Sequence, residues 1–308
     1  MAHGNFTRVT EFILTGVSER PDLQIPLFFV FLVICGLTVT GNLSIITLTS
    51  VDSRPQTPMY FFLRHLAVVN LGNSTVIAPK MLINFLVRTR GFLVFTVAEV
   101  LMLAVMAYDR HVAICNPLLY RAVVSQRICL LLVSLTYLYG FCTSVVTSSS
   151  VFSLTYCSSN VINHFYCDTV PLLTLSCSDT SVPEAAIFIS GSTNLVFSII
   201  TVVASYFNIV LSILKIHSSD RRKKAFSTCA SHMTAVSVFY GTLLFMYLQP
   251  QTYHSVGADK MASVFCTLVI PMLNPMIYSL RNNDVKAALK MFIRNTCCSL
   301  NHSSFKSL

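Results

Sequence analysis

The sequence predicts an all-α membrane protein, a seven-transmembrane helix bundle with a short amphipathic C-terminal helix, on three observations. Of 308 residues, 54% are hydrophobic and only 11% charged, against roughly a quarter charged in ordinary soluble domains. Apolar runs of about 20 residues follow one another with short polar breaks, the length a helix needs to cross about 30 Å of hydrocarbon. The basic residues also gather in alternate connections. A membrane β-barrel would instead need alternating ten-residue strands, and none is seen.

Taken in order, residues 1–25 read as an outside tail. They are polar, lack the basic start and cleavage site of a signal peptide, and hold the glycosylation sequon Asn5-Phe6-Thr7. Residues 26–280 form the membrane domain. Its spans are expected at Pro26–Thr49, Pro58–Leu86, Phe92–Cys115, Cys129–Ser150, Glu184–Ile216, Phe226–Leu248 and Met261–Leu280. A polar, cysteine-bearing segment, Val151 to Pro183, separates the fourth span from the fifth. Residues 281–308 form the tail. Within it Val285, Leu289 and Phe292 recur at helical spacing, and Lys286, Lys290 and Arg294 recur every four residues on another face. A helix lying in the inner membrane interface fits that pattern, with a solvated tail helix as the alternative. Cys297 and Cys298 beyond it are candidates for acylation or plain cytosolic thiols.

With the amino terminus outside, the cytoplasmic side receives Arg54, Arg110, Arg121, Arg127, Lys215, Arg221, Arg222, Lys223, Lys224, Arg281, Lys286, Lys290, Arg294 and Lys306. The outside receives Arg8, Arg20, Arg88, Arg90 and Lys260. This is the positive-inside bias of a multi-pass membrane protein. The net charge of +9 then reads as topology and as attraction to anionic lipids. No basic stripe with stacking aromatics lies outside the membrane, so nucleic acid is not an expected partner.

Two features inside the spans carry chemistry. Charge at the end of an apolar run, as at Asp109-Arg110, costs several kcal/mol unless paired or wetted, so it marks an interface or cavity with a function. A snorkelling arginine is the simpler alternative. On an ideal helix, Leu103, Glu99, Thr96 and Phe92 return to within about 40° of the face of Arg110. Glu99 is thus an ionisable group near mid-membrane that must be protonated, hydrogen-bonded or holding a cation. Asn42, Asn70 and Asn274 are the polar residues of neighbouring spans able to converge on it. In the outer segment Cys157, Cys167 and Cys177 are spaced ten apart, in a compartment where pairing is expected. A metal site from Cys157, His164, Cys167 and Asp168 is the lesser alternative.

Several long motifs now combine: Pro58-Met59-Tyr60 opening the second span, Met106 to Tyr120 (MAYDRHVAICNPLLY) closing the third, Ser205-Tyr206 in the fifth, Lys224 to His232 (KAFSTCASH) opening the sixth, and Pro271 to Tyr278 (PMLNPMIY) in the seventh. In this order the chain resembles the odorant (olfactory) receptors, a group of rhodopsin-like G-protein-coupled receptors. No phosphate loop, His-Glu-x-x-His, or nucleophile with a base competes, so no enzyme is expected. A transporter or channel would show internal repeats and charges along a path, and these are absent.

The resemblance implies a small, mostly hydrophobic odorant held in the outer half of the bundle. Its pocket would be lined by Phe92, Leu93, Thr96 and Val97, by Val170 of the outer loop, by Ser190 and Asn194, and by Tyr240, Leu243, Leu244 and Tyr247. It implies coupling to a stimulatory heterotrimeric G protein, raising cyclic AMP, with Asp109, Arg110, Tyr206, Asn274, Pro275 and Tyr278 as the activation machinery. His111 stands where the family usually has Tyr. Asn42, Asn70, Glu99 and Asn274 would form a sodium site or a polar cluster, with Asn70 replacing the family's usual aspartate. No cofactor is implied. It pairs Cys157 with Cys177, and Cys167 with a third-helix cysteine that this chain lacks: none occurs between Lys80 and Asp109. The connector Leu86 to Gly91 is also shorter than the family's by roughly a dozen residues. A non-signalling or pseudogene-like product of the same family is therefore the alternative reading.

Overall fold

The computed structural model describes residues 13–14, 20–51, 57–83, 90–156, 161–162, 164, 169–248, 260–261 and 263–281. Along these the chain forms α1 (Pro21–Val51), α2 (Pro58–Ile83), α3 (Arg90–Cys115), a one-turn α4 (Tyr120–Val123), α5 (Gln126–Phe152), a short α6 (Thr169–Thr174), α7 (Ser181–Leu214) and α8 (Ser219–Leu248). A π-helical stretch, Phe265–Val269, then leads into α9 (Ile270–Arg281). The expected spans correspond in order to α1, α2, α3, α5, α7, α8 and α9.

Helix ends differ from the sequence expectation for physical reasons. α1 starts at Pro21 and holds Pro26 inside it. Proline tolerates the first helical position, and Asp22 beside it meets the positive end of the helix dipole. α8 begins at Ser219 rather than Phe226, so the basic run Arg221–Lys224 is helical rather than loop, with Asp220 in its first turn. α7 begins at Ser181, where Asp179 accepts bonds from the Ser181 amide at 3.0 Å and hydroxyl at 2.9 Å. Those bonds hold the Asp179 carboxyl below the usual carboxylate range.

The seventh span is not one regular helix. Its π-helical stretch and the proline at Pro275 interrupt the ordinary ladder, the kind of irregularity found at functional sites.

Burial is inverted relative to a soluble protein. On α7, Phe188, Phe197, Ile200, Val203 and Phe207 all face outward, a belt suited to lipid. α1, α5 and α7 are long and apolar enough to cross a membrane on composition alone. α2, α3 and α8 carry polar residues inward instead, including buried Asn70, Glu99 and His232. The core is centred on α3, where Met102, Leu103 and Ala107 meet Phe62 and Leu66 of α2, Phe239 of α8 and Ile270 of α9. Tight helix contacts rest on small residues. A Cβ on Gly72 would stand 2.5 Å from the Phe95 ring, and one on Gly140 would stand 3.0 Å from the Val94 carbonyl oxygen.

The outer segment read as a polar loop contains structure. β1 (Ile13–Leu14) pairs in parallel with β2 (Val161–Ile162), and Tyr156 bridges Ser176. Ile162, Val151 and Leu172 form a small cluster beneath. Cys177 is disulfide-bonded; Cys157 and Cys167 lie outside the described residues, as do Asn5 and the tail beyond Arg281.

Candidate functional site

A chain of polar side chains threads the bundle from α1 to α9. Glu99 is 2% exposed, where an unpaired charge is costly. Its carboxylate accepts from Asn73 Nδ2 at 2.9 Å and from Asn274 Nδ2 at 3.4 Å. Asn70 reaches instead to Asn42, donating to its Oδ1 at 3.3 Å. The structure therefore brings the four expected residues together, with Asn274 on the acid directly and Asn42 and Asn70 as a neighbouring pair. Asn73 was missed, although it stands three residues from Asn70 and hence on the same helix face.

Asn42 has a second task that explains its place beside α9. Proline at position 275 has no N–H, so the Pro271 carbonyl four residues earlier loses its helical donor. Asn42 Nδ2 donates to that carbonyl at 3.2 Å, and to the Thr38 carbonyl of its own helix at 2.8 Å. α1 thus supplies the bond that the seventh span's own sequence forbids. The helices come close enough for this because α1 carries Gly41 there, where a Cβ would lie 3.1 Å from Pro275 Cβ.

The donor set around Glu99 fits a small hard cation. On α2, Asn70 Oδ1, Asn73 Oδ1 and Ser74 Oγ are buried oxygens with no hydrogen-bond partner among the described residues, and Asn73 reaches the Glu99 carboxylate at 2.9 Å. Oxygen-only ligation suits a sodium-like ion.

At the inner end, Asp109 is buried and accepts the Tyr120 hydroxyl at 2.7 Å. Burial first, then the Asp109 charge and hydrogen bond, hold the Tyr120 phenol above its usual range, so it stays a donor. The half-buried Arg110 supplies the neighbouring positive charge. Across the mouth, the Tyr206 hydroxyl meets His232 Nδ1 and the two rings stack at 5.9 Å. Cys115 ties α3 to α7, accepting from Ser212 Oγ at 3.0 Å and donating to the Asn208 carbonyl at 3.5 Å. Tyr120 and Cys115 were not singled out as site residues from sequence, because their partners are distant in the chain or lie round a turn.

Toward the outer half, Val97 is buried, and Leu93, Thr96 and Leu243 are half-buried. Ser190 donates to the Ile187 carbonyl at 3.2 Å. Tyr240 is buried, and its hydroxyl donates to the Val100 carbonyl at 3.2 Å, pinning α8 to α3. Leu244 is exposed. Asn194 is buried and lines a cavity with Leu101, Val105 and Phe197. The side chains of Phe92, Val170, Tyr247 and Tyr278 lie outside those described.

Comparison with known proteins agrees with this architecture. The crystal structure of squid rhodopsin superposes with a TM-score of 0.70 at 16% identity, covering 93% of this chain and 82% of that one; this likeness concerns the fold. Human olfactory receptor 8J3 is 72% identical over 320 aligned residues, covering all of both chains. At least 12 of those positions (320 − 308) have no counterpart here. Human olfactory receptor 8J1 is 72% identical over 97% of this chain and 99% of its own, and mouse olfactory receptor 8U3 is 52% identical over 94% and 95%. The family pattern described as "Olfactory receptor" matches residues 27–295. With the family's motifs built into one inward-facing polar chain, and with relatives matched end to end, this chain belongs to the olfactory receptor family.

Proposed function

We propose that this chain binds a small, mostly hydrophobic odorant in the outer half of the helix bundle and activates a stimulatory heterotrimeric G protein, raising cyclic AMP. As an olfactory receptor it is a multi-pass plasma-membrane signalling receptor and not an enzyme. The observation that carries the reading is the pair of ties at the inner end, Asp109 with Tyr120 and Tyr206 with His232, with Arg110 of α3 close to Cys229 and His232 of α8. Ligand binding would favour a state in which α8 swings outward and uncovers Arg110 and Arg221–Lys224 for the G protein.

In this reading the amino terminus is extracellular and glycosylated at Asn5, Cys157 pairs with Cys177, and membrane lipids contact the basic inner face. The odorant lies among Leu93, Thr96, Val97, Ser190, Asn194, Tyr240 and Leu243, with Phe92, Val170, Leu244 and Tyr247 completing the wall. Such a wall is apolar with a few hydroxyl and amide groups and no counter-ion, so the ligand is neutral. Sodium at Glu99, Asn70, Asn73 and Ser74 would favour the resting state by binding it preferentially. A cyclic AMP reporter with an odorant panel tests this. Dose-dependent responses support it; silence at confirmed surface expression refutes it.

One observation favours a second reading, a non-signalling product. The chain lacks at least 12 positions of its 72%-identical relative and has no cysteine between Lys80 and Asp109. Intracellular retention, cured by restoring a full-length, cysteine-bearing connector, would support that reading.

A further inference from the structure

Along α7, Ser190, Ser198 and Thr201 turn back on their own helix, donating to the carbonyls of Ile187, Leu195 and Phe197 at 3.2, 2.9 and 2.8 Å. That is the local way for a serine or threonine to satisfy itself inside a helix. Ser212 crosses to α3 instead, donating to Cys115 Sγ at 3.0 Å.

The sulfur that receives this bond is a junction. Its own S–H donates to the Asn208 carbonyl, one turn before Ser212 on α7, at 3.5 Å, and His111 Nδ1 of α3 lies 3.7 Å from it. Cys115 is the last residue of α3, about 7.5 Å along the helix beyond Arg110. Ser212 stands about 9 Å beyond Tyr206 on α7. The two helices are therefore joined just past the residues that face the inner mouth.

α7 is bound in turn to α8. Tyr206 meets His232, and Ile209 and Ile213 cluster with Cys229, with Ile114 and Cys115 of α3 packed against them. An outward swing of α8 then draws the inner end of α7 with it, and the bonds to Cys115 must break. Sulfur is a weak donor and acceptor, and Asn208 is exposed, so the junction restrains α7 without locking it. We propose that Cys115 and Ser212 are positioning residues, a latch between α3 and α7 that biases the receptor toward rest and opens when the G protein is engaged. The latch rests on the G-protein reading above.

The test is guanine-nucleotide exchange on a purified stimulatory G protein by the full-length receptor in lipid discs, without odorant. Ser212→Ala is expected to raise exchange about two- to tenfold, the population shift that one lost hydrogen bond gives. Misfolded receptor would lower exchange, so a rise cannot come from loss of fold. Cys115→Ala should raise it at least as much, and adding Ser212→Ala to Cys115→Ala should change little, because the bond is already gone. Cys115→Ser keeps a donor and acceptor in place and should return exchange toward the unaltered rate, a rescue that a packing role would not give. Asp109→Asn, which loosens the separate tie to Tyr120, runs in the same series. Exchange unmoved by Ser212→Ala, or gains that add in full in the double variant, would overturn the latch, and a rise with Asp109→Asn beside them shows that the G-protein reading stands. No exchange from any form would overturn both.

Discussion

Replacing Asn42 with alanine tests the claim that α1 completes the seventh span. The change removes the donor to the Pro271 carbonyl and the acceptor for Asn70 Nδ2, at 3.2 and 3.3 Å. Interhelical bonds in bilayers average about 0.6 kcal/mol each. The stranded Pro271 carbonyl adds about 1–3 kcal/mol for an unsatisfied buried group. Asn42→Ala should therefore cost roughly 2–4 kcal/mol. The discriminating partner is Pro275→Ala, which restores an N–H at position 275 able to bond the Pro271 carbonyl from within α9. In that background Asn42→Ala loses chiefly the Asn70 bond, and its cost should fall by about 1 kcal/mol or more. Any cavity left by the missing proline ring is common to both arms and cancels. The assay is reversible unfolding of the purified receptor in mixed micelles of rising dodecyl sulfate. Costs that add to within about 0.3–0.5 kcal/mol would refute the reasoning.

Other perturbations follow from the same geometry. Tyr240→Phe keeps the ring and loses the tie to Val100, so basal cyclic AMP should rise about two- to tenfold, read in the reporter without odorant. Gly72→Ala places a methyl against Phe95 and should destabilise by about 1–3 kcal/mol, with Phe95→Leu restoring much of the loss in a thermal melt. Exchanging sodium for choline should lower the melting temperature of the unaltered receptor and leave Glu99→Gln unmoved. Asp109→Asn weakens the restraint by Tyr120 and should raise basal signalling at equal surface expression.

Much of this was legible in the sequence, for identifiable reasons. Runs of apolar residues the length of a bilayer gave the spans, because in hydrocarbon the backbone must satisfy itself within each helix. The polar groups stood out because a Glu99 or an Asn42 within a span is expensive, and the helical period assigned Glu99 to the face of Arg110. Pairing was harder to read. That Asn70 turns to Asn42 while Asn73 takes the acid depends on packing distances between helices that no single-chain period contains. Asp109 is held by Tyr120, which lies across a non-helical turn from α3, so no helical spacing relates the two. The π-helical stretch at Phe265–Val269 carries no sequence signature of its own. The cavity between α5 and α7 was invisible because it arises from the separation of those helices, and Asn194 on its wall looks in sequence like part of the inward wall.

The central claim is that an odorant in the outer half of the bundle controls an arginine at its inner mouth. The most direct measurement is guanine-nucleotide exchange on a purified stimulatory G protein, with the receptor in lipid discs and an odorant that binds it. The account predicts faster exchange with odorant and loss of that gain in Arg110→Ala despite unchanged odorant binding. Exchange that ignores a bound odorant, or that survives intact in Arg110→Ala, would contradict it.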